Sequence, residues 1–269
     1  MVYTTYEARA GVGVISLDRP DRRNAQNAEL LDELDAAWTR ADEDPDVRVI
    51  LLRANGPHFS AGHDISGDSR DAYDVTAPDR LTSLRAFETK RYLGYSRRWR
   101  DIPKPSIAAV QGGCIAGALL LVWPCDLIVA SDDAYFTDFV ARMGIGGVEY
   151  HGHTWELGAR KAKEMLFTGM RMGAAEAERR GMVNRVVPRE SLDQAAFELA
   201  AEIARIHPFA LAMAKRAVNQ TLDIQGQYSS LQSAFDLHTL GHANAMIESG
   251  YPILAWDVRS LAEQNKNGS

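Results

Sequence analysis

Apolar positions along the chain alternate between short continuous runs and runs spaced for helices. Residues 7–17 carry Val12, Val14, Ile15 and Leu17 beside small residues and predict one strand. A polar turn, Arg19-Pro20-Asp21-Arg22-Arg23-Asn24, follows. Leu30, Leu31, Leu34 and Trp38 then recur at helical spacing behind Asn27, a residue suited to capping, and Asp44-Pro45-Asp46 stops that helix. Residues 47–53 are a strongly buried strand, broken by Asn55-Gly56-Pro57. The polar stretch 66–80 predicts a loop, and a helix rich in Arg, Tyr and Leu runs on to about Trp99. Ile102-Pro103-Lys104-Pro105 forces an extended entry into a strand at 106–110. A short apolar helix at 116–123 ends at Pro124, and short strands are expected at 127–130 and 134–137.

From about Trp155 the pattern turns helical, with helices at 157–167 and 174–180, one more strand at 183–187, and helices at about 190–206, 208–223 and 228–247. The expectation is an α/β core followed by a helical segment. We divide the chain into a core at 1–200 holding the site and a C-terminal helical oligomerisation region at 201–269. That region is too small to bury its apolar positions alone, so it should pack on the core or on another subunit. The tail 265–269 is expected to fray.

Composition changes this picture little. Thirty basic against thirty-six acidic side chains leave a net charge of -6 over 269 residues, which argues against a nucleic-acid or anionic-membrane surface. A local cation can still hold a phosphorylated ligand. No apolar run approaches roughly 18 residues and the N-terminus has no basic-then-apolar leader, so the expectation is a cytoplasmic protein with no membrane partner. Cys114 and Cys125 form no CxxC spacing and are read as small core residues.

The candidate chemistry lies in two glycine-containing segments that each follow a strand: His58-Phe59-Ser60-Ala61-Gly62-His63-Asp64-Ile65, and Gln111-Gly112-Gly113-Cys114-Ile115-Ala116-Gly117-Ala118-Leu119-Leu120. Two such turns can aim backbone N–H groups at one point, as an oxyanion hole for a thioester enolate requires. Gly117 opens an apolar helix, where N–H groups are unpaired and the dipole favours negative charge.

These segments, together with Arg19-Pro20 and Asn24-Ala25, Pro103-Lys104-Pro105, Cys125-Asp126, Leu166-Phe167-Thr168-Gly169 and Gly181-Met182-Val183-Asn184-Arg185-Val186-Val187, resemble the crotonase superfamily, the enoyl-CoA hydratase/isomerase family, over about residues 5–225. The resemblance implies a crotonase-like spiral of ββα units with a C-terminal helical trimerisation region, a homotrimer or dimer of trimers. It also implies a coenzyme A thioester as substrate and no other cofactor. By position it makes the N–H groups of His63 and Gly117 the oxyanion donors. It brings Arg22, Arg23 and Ala25 to the CoA nucleotide, and Ala61, Asp64, Ile65 and Gly113 to the substrate.

The resemblance also exposes a departure. The two positions where a family hydratase carries its glutamates are Leu120 and Val140, and neither can carry a proton. The remaining candidates to move protons are Asp138, His63 and Glu149, the last within Gly147-Val148-Glu149-Tyr150-His151-Gly152-His153. His151 and His153 have no third ligand nearby, so no metal site is expected there. Asp64 is expected to cap nearby N–H groups, and Phe87, Tyr92 and Trp99 are candidates to line an acyl pocket. Three functions stay open. One is an acyl-CoA enzyme of the family with non-standard acid–base residues. The others are a decarboxylase or C–C lyase similar to methylmalonyl-CoA decarboxylase, and a non-catalytic acyl-CoA-binding protein.

Overall fold

The computed structural model describes residues 2–65 and 79–254. Its elements in chain order are β1 (Thr4–Arg9), β2 (Val12–Leu17), α1 (Ala28–Glu43), β3 (Val49–Ala54), α2 (Arg80–Glu88), a π-helical stretch (Thr89–Gly94), α3 (Tyr95–Asp101), β4 (Ser106–Val110), β5 (Gly113–Ile115), a 3-10 turn (Ala116–Ala118) running into α4 (Leu119–Val122), β6 (Leu127–Ser131) and β7 (Tyr135–Thr137). Then follow α5 (His153–Thr168), β8 (Met172–Gly173), α6 (Ala174–Arg179), β9 (Arg185–Val187), α7 (Leu192–Ile203), α8 (Pro208–Ile224) and α9 (Gln227–Ser249).

The strand expected over 7–17 is a hairpin. β1 and β2 pair antiparallel across a tight turn at Ala10 and Gly11, both at positive φ. Continuous apolar character conceals such a turn when the turn residues are small and uncharged. β2, β3, β4, β6 and β9 then pair in parallel, giving a six-stranded sheet of order β1-β2-β3-β4-β6-β9, and β5, β7 and β8 form a second small sheet.

Because side chains alternate along a strand, the large sheet buries two faces. Ile15, Leu17, Ile50, Leu52, Ala108 and Val110 point to one core with Leu30, Leu31, Leu34 and Trp38 of α1. Val12, Val14, Val49, Leu51, Ile107 and Ala109 point to the other, covered by Leu192, Ala196 and Ala200 of α7. Asn27 does cap α1, its side chain accepting from the Leu30 N–H at 3.0 Å. Trp99, expected near an acyl pocket, stacks on Trp38 in the first core at a ring separation of 5.6 Å.

The expected boundary at residue 200 falls inside α7. The two long helices beyond it behave differently. α8 has no buried residue, with Phe209, Val218 and Ile224 exposed. α9 buries a stripe of Leu231, Phe235, His238, His242 and Ala245 against the core. The C-terminal region therefore packs on the core through α9. Among the described residues no helix is long and apolar enough to cross a membrane.

Candidate active site

Three loops that follow or precede strands are tied into one platform. The Ser60 N–H donates to the Gly113 carbonyl at 3.2 Å and the Ile115 N–H returns to the Ser60 carbonyl at 3.1 Å, joining the two glycine segments. Gln26 joins the third. Its N–H donates to the Gly62 carbonyl, its carbonyl accepts from the Asp64 N–H, and its side-chain amide donates to the Gly117 carbonyl at 3.0 Å. The Ser60 hydroxyl donates to the Asn24 carbonyl at 2.7 Å. Gln26 and Ser60 were not singled out in the sequence. An uncharged polar residue, even one within or beside a motif as these are, carries no signal of such a role until its partners are known.

Gly62 sits at φ +85°, and a Cβ there would lie 2.6 Å from the Ile115 carbonyl oxygen and 3.1 Å from the Gly117 nitrogen. Contact this close between two backbones is available only to glycine. Ala116, at φ 48°, is a non-glycine residue in the left-handed region beside Gly117. Such strain is retained where the surroundings hold a turn in place. Among the described residues neither the His63 nor the Gly117 N–H has a backbone acceptor.

A cavity of about 360 Å³ opens beside this platform, lined by Arg22, Ala25, Ala61, His63, Asp64, Ile65 and Ala116 from the loops. Its other walls are Phe139, Val140, Met143, Ile145, Val148 and Glu149 after β7, with His238, His242 and Ile253 from the C-terminal region. The lining is mostly apolar with a few convergent polar groups, the usual character of a small-molecule site.

His63 is trapped in this wall. One face of its ring lies over Gly117, where a Cβ would meet ring atoms at 2.5–2.7 Å, and the ring stacks on Tyr92 with centroids 3.9 Å apart. Phe87 packs edge-on against Tyr92 at 5.5 Å. His63 Nε2 is 3.1 Å from both carboxylate oxygens of Glu149, while its Nδ1 is buried with no hydrogen-bond partner among the described residues. Glu149 continues into a second cluster: His238 Nε2 is 3.4 Å from its Oε1, and His242 Nε2 lies 2.9 Å from His238 Nε2 and 3.1 Å from Glu88 Oε1. Burial pushes the Glu149 carboxyl up, but the imidazoles of His63 and His238 outweigh it and hold it below the ordinary range. In Glu88 the hydrogen bonds to His238 and His242 likewise overcome burial and bring the carboxyl down to about 2. For His238 burial acts downward, and the charges of Glu149 and Glu88 bring it up to about 9.

The other expected residues divide. Arg22, Ala25, Ala61, Asp64, Ile65 and Val140 line the cavity. Asp64 binds Arg19 at 2.6 Å. Arg23 is exposed and does not line the cavity, because its left-handed backbone sends the side chain elsewhere while its carbonyl accepts from the Ala61 N–H. Gly113 packs against Tyr135, 2.8 Å from where a Cβ would stand. Leu120 is fully buried in the core, its carbonyl accepting from the Ser96 hydroxyl. Of the four polar side chains at 149–153, Glu149 alone reaches the cavity; Tyr150 is buried elsewhere, His151 lies against Gly147, and His153 turns to Asp138.

Asp138 is not in the cavity wall. It is fully buried, accepts from the Val140 and Val148 N–H groups at 3.0 Å each, and lies 2.9 Å from His153 Nε2. It therefore shapes the loop that carries Val148 and Glu149. Burial pushes its carboxyl up, but His153 and the two N–H groups outweigh it. A group lowered on folding stabilises fully above the ordinary carboxylate pKa of about 4 and loses that contribution as pH falls through its folded value. We expect Asp138→Ala to cost about 3–5 kcal/mol, as for other broken buried pairs, read from the urea midpoint at pH 7. The penalty should shrink in acid, and a variant as stable as wild type at pH 7 would remove Asp138 from this role.

Comparison with known proteins decides the lineage. The family model for enoyl-CoA hydratase/isomerase matches residues 7–251. The chain belongs to the enoyl-CoA hydratase/isomerase family. EchA13 of Mycobacterium tuberculosis, which carries the name of an enoyl-CoA hydratase, is 42% identical over 247 residues, covering 87% of this chain and 78% of that protein. The crystal structure of a "probable enoyl-CoA hydratase" from Mycobacterium smegmatis is 62% identical, with a TM-score of 0.89 over 94% of this chain and 100% of that one. An enoyl-CoA hydratase/isomerase from Xanthobacter autotrophicus Py2 is 30% identical with a TM-score of 0.85, covering 98% and 97% of the two chains. The fold of this family member is accordingly crotonase-like.

Proposed function

We propose that this family member generates and quenches a thioester enolate on an acyl-CoA, using His63 and Glu149 to move the proton. The observation that carries the reading is the His63–Glu149 pair, 3.1 Å apart in the wall of the apolar cavity and beside Gly117. Glu149 accepts from His63 Nε2, which leaves Nδ1 as the basic atom of the neutral ring. The His63 ring must turn away from Gly117 for Nδ1, buried in this structure, to meet the substrate; a proton leaving the acyl Cα then goes to Nδ1, and its electron pair moves into the thioester carbonyl. Glu149 stabilises the resulting imidazolium, the division of labour known for carboxylate–histidine pairs. The N–H groups of His63 and Gly117 hold the enolate oxygen, each such donor being worth about 10²–10³ in rate. Arg22, Ala25, Ala61 and Ile65 would hold the CoA portion, and Val140, where the family glutamate is absent, would face the acyl chain.

A carboxylate already in the cavity disfavours a substrate that brings a second one, so proton transfer is preferred to decarboxylation. The test is deuterium uptake at Cα of butyryl-CoA in heavy water, run beside crotonyl-CoA consumption followed at the enoyl thioester absorbance. Exchange is expected. Carbon dioxide release from malonyl-CoA without exchange would replace the reading by decarboxylation, and tight thioester binding with no turnover would replace it by a binding role.

We also propose that the exposed apolar residues of α8, Phe209, Val218 and Ile224, are covered by a second copy of the chain. Light scattering should return the mass of a trimer or hexamer, and a monomer at micromolar concentration would refute it.

A further inference from the structure

The cluster behind Glu149 has a property the enolate reading does not use. His238 Nδ1 lies 2.8 Å from the Gly147 carbonyl and His242 Nδ1 lies 2.6 Å from the Pro252 carbonyl. A carbonyl only accepts, so both rings carry a hydrogen on Nδ1. In the neutral rings both Nε2 atoms then present lone pairs. Those two atoms are 2.9 Å apart, and they stand 3.1 and 3.7 Å from Glu88 Oε1. Three acceptors thus converge on one point in a buried setting, Glu88 at 0%, His238 at 5% and His242 at 3% exposure. Glu88 Oε2 has no hydrogen-bond partner among the described residues. One added proton fills one of the gaps and leaves the remaining lone pairs facing each other. A single cation satisfies all three.

We propose that Glu88, His238 and His242 bind a divalent transition-metal ion, with Zn²⁺ the expected occupant, at the edge of the cavity that the two histidines line. An ion seated over the triangle of donor atoms would lie about 2 Å from each, the length of Zn–N and Zn–O bonds. Two imidazoles and one carboxylate suit zinc and its neighbours over magnesium or calcium. Each imidazole is oriented through Nδ1–H on a backbone carbonyl, the arrangement that fixes metal-ligating histidines. Three protein ligands leave a fourth position, and Glu149 borders the cluster, its Oε1 3.4 Å from His238 Nε2. The ligands come from two helices: Glu88 ends α2, and His238 and His242 are one turn apart on the buried stripe of α9. The sequence carried this signal only as a His-x-x-x-His spacing inside an apolar helix. Its third ligand is 150 positions away from His238 by number.

The competing account is a proton shared within the cluster, consistent with the upward displacement of His238. Metal content separates the two without reference to turnover, so failure here leaves the enolate reading intact. Protein purified without a metal-affinity tag and without chelator should contain about one zinc per chain by elemental analysis. After chelator treatment, Co²⁺ added in its place should give the ligand-field spectrum of a four-coordinate N/O site. Glu88→Gln and His242→Gln should each lose the stoichiometric metal and that spectrum while retaining the far-ultraviolet dichroism of wild type. Should these variants not fold, the thermal midpoint of metal-depleted wild type on Zn²⁺ addition reads the same question, and a saturable rise is expected. No zinc in the purified protein together with no binding heat and no midpoint shift on Zn²⁺ addition would overturn the proposal. So would undiminished zinc in folded Glu88→Gln and His242→Gln proteins.

Discussion

Glu149→Gln is expected to lower deuterium exchange and turnover of an acyl-CoA by about 10²–10⁴-fold, the usual contribution of a positioned acid–base group, with thioester binding retained. Glutamine matches glutamate in shape and can keep a hydrogen bond to His63 Nε2 across 3.1 Å. It cannot supply the negative charge that stabilises an imidazolium, nor take up a proton. The loss should therefore appear in kcat while KM stays near its wild-type value, the pattern of an interaction made in the transition state. Glu149→Asp keeps the charge and shortens the reach, so it should recover part of the rate. Circular dichroism and a CoA-ester binding isotherm separate this outcome from unfolding. Full activity in Glu149→Gln would take this carboxylate out of the chemistry and leave His63 to act without it.

Gly62→Ala should be comparably severe for a different reason. Its φ of +85° is strained for any residue with a Cβ, at roughly 1–2 kcal/mol, and the new Cβ would also lie 2.6 Å from the Ile115 carbonyl oxygen. That neighbour is backbone, held by the Ser60–Ile115 hydrogen bond, so it cannot turn aside as a side chain would. The two glycine segments must separate, and the His63 and Gly117 N–H groups, the proposed oxyanion donors, move apart. We expect a lower thermal midpoint together with a loss of about 10²–10³ in kcat/KM, the scale of a missing oxyanion donor. Gly117→Ala provides the contrast. Its Cβ would meet the His63 ring, a side chain where Gly62→Ala meets backbone but one held against Tyr92, so activity should fall with a smaller cost in stability than in Gly62→Ala. Should Gly62→Ala retain both stability and rate, the close approach of the two segments would have no functional weight.

Much of this arrangement is legible before any coordinates. The apolar runs at β3, β4 and β6 mark a parallel sheet, since strands covered on both faces must be apolar throughout. The Asn27 cap, the Pro-bounded entry to β4 and the two glycine segments are local signals, each decided by a few neighbouring residues. Glu149 was among the candidates because it is a carboxylate close in sequence to the position left vacant at Val140. Asp138 was equally plausible by type and spacing, and only the positions of the Val140 and Val148 N–H groups show that its carboxylate is occupied. Tyr92 and Trp99 lie on continuous helical backbone seven positions apart, yet one stacks on His63 and the other on Trp38. The π-helical stretch between α2 and α3 alters the helical register there, and the periodicity of the residues does not announce it.

The sequence by itself determined the lineage, the two glycine turns of the proposed oxyanion hole, and the absence of ionisable groups at Leu120 and Val140. Those properties depend on contiguous residues, and local chain geometry follows from local composition. Tertiary structure alone decided which carboxylate meets the cavity, which imidazole it meets, and that Glu88 converges with two histidines of α9. Those contacts join positions up to 154 residues apart, and they exist because the sheet and its two cores set the separation between the helices that carry them. A buried polar side chain takes its meaning from the partner that compensates its desolvation, and for Glu149 and Glu88 the imidazole partners are on other elements.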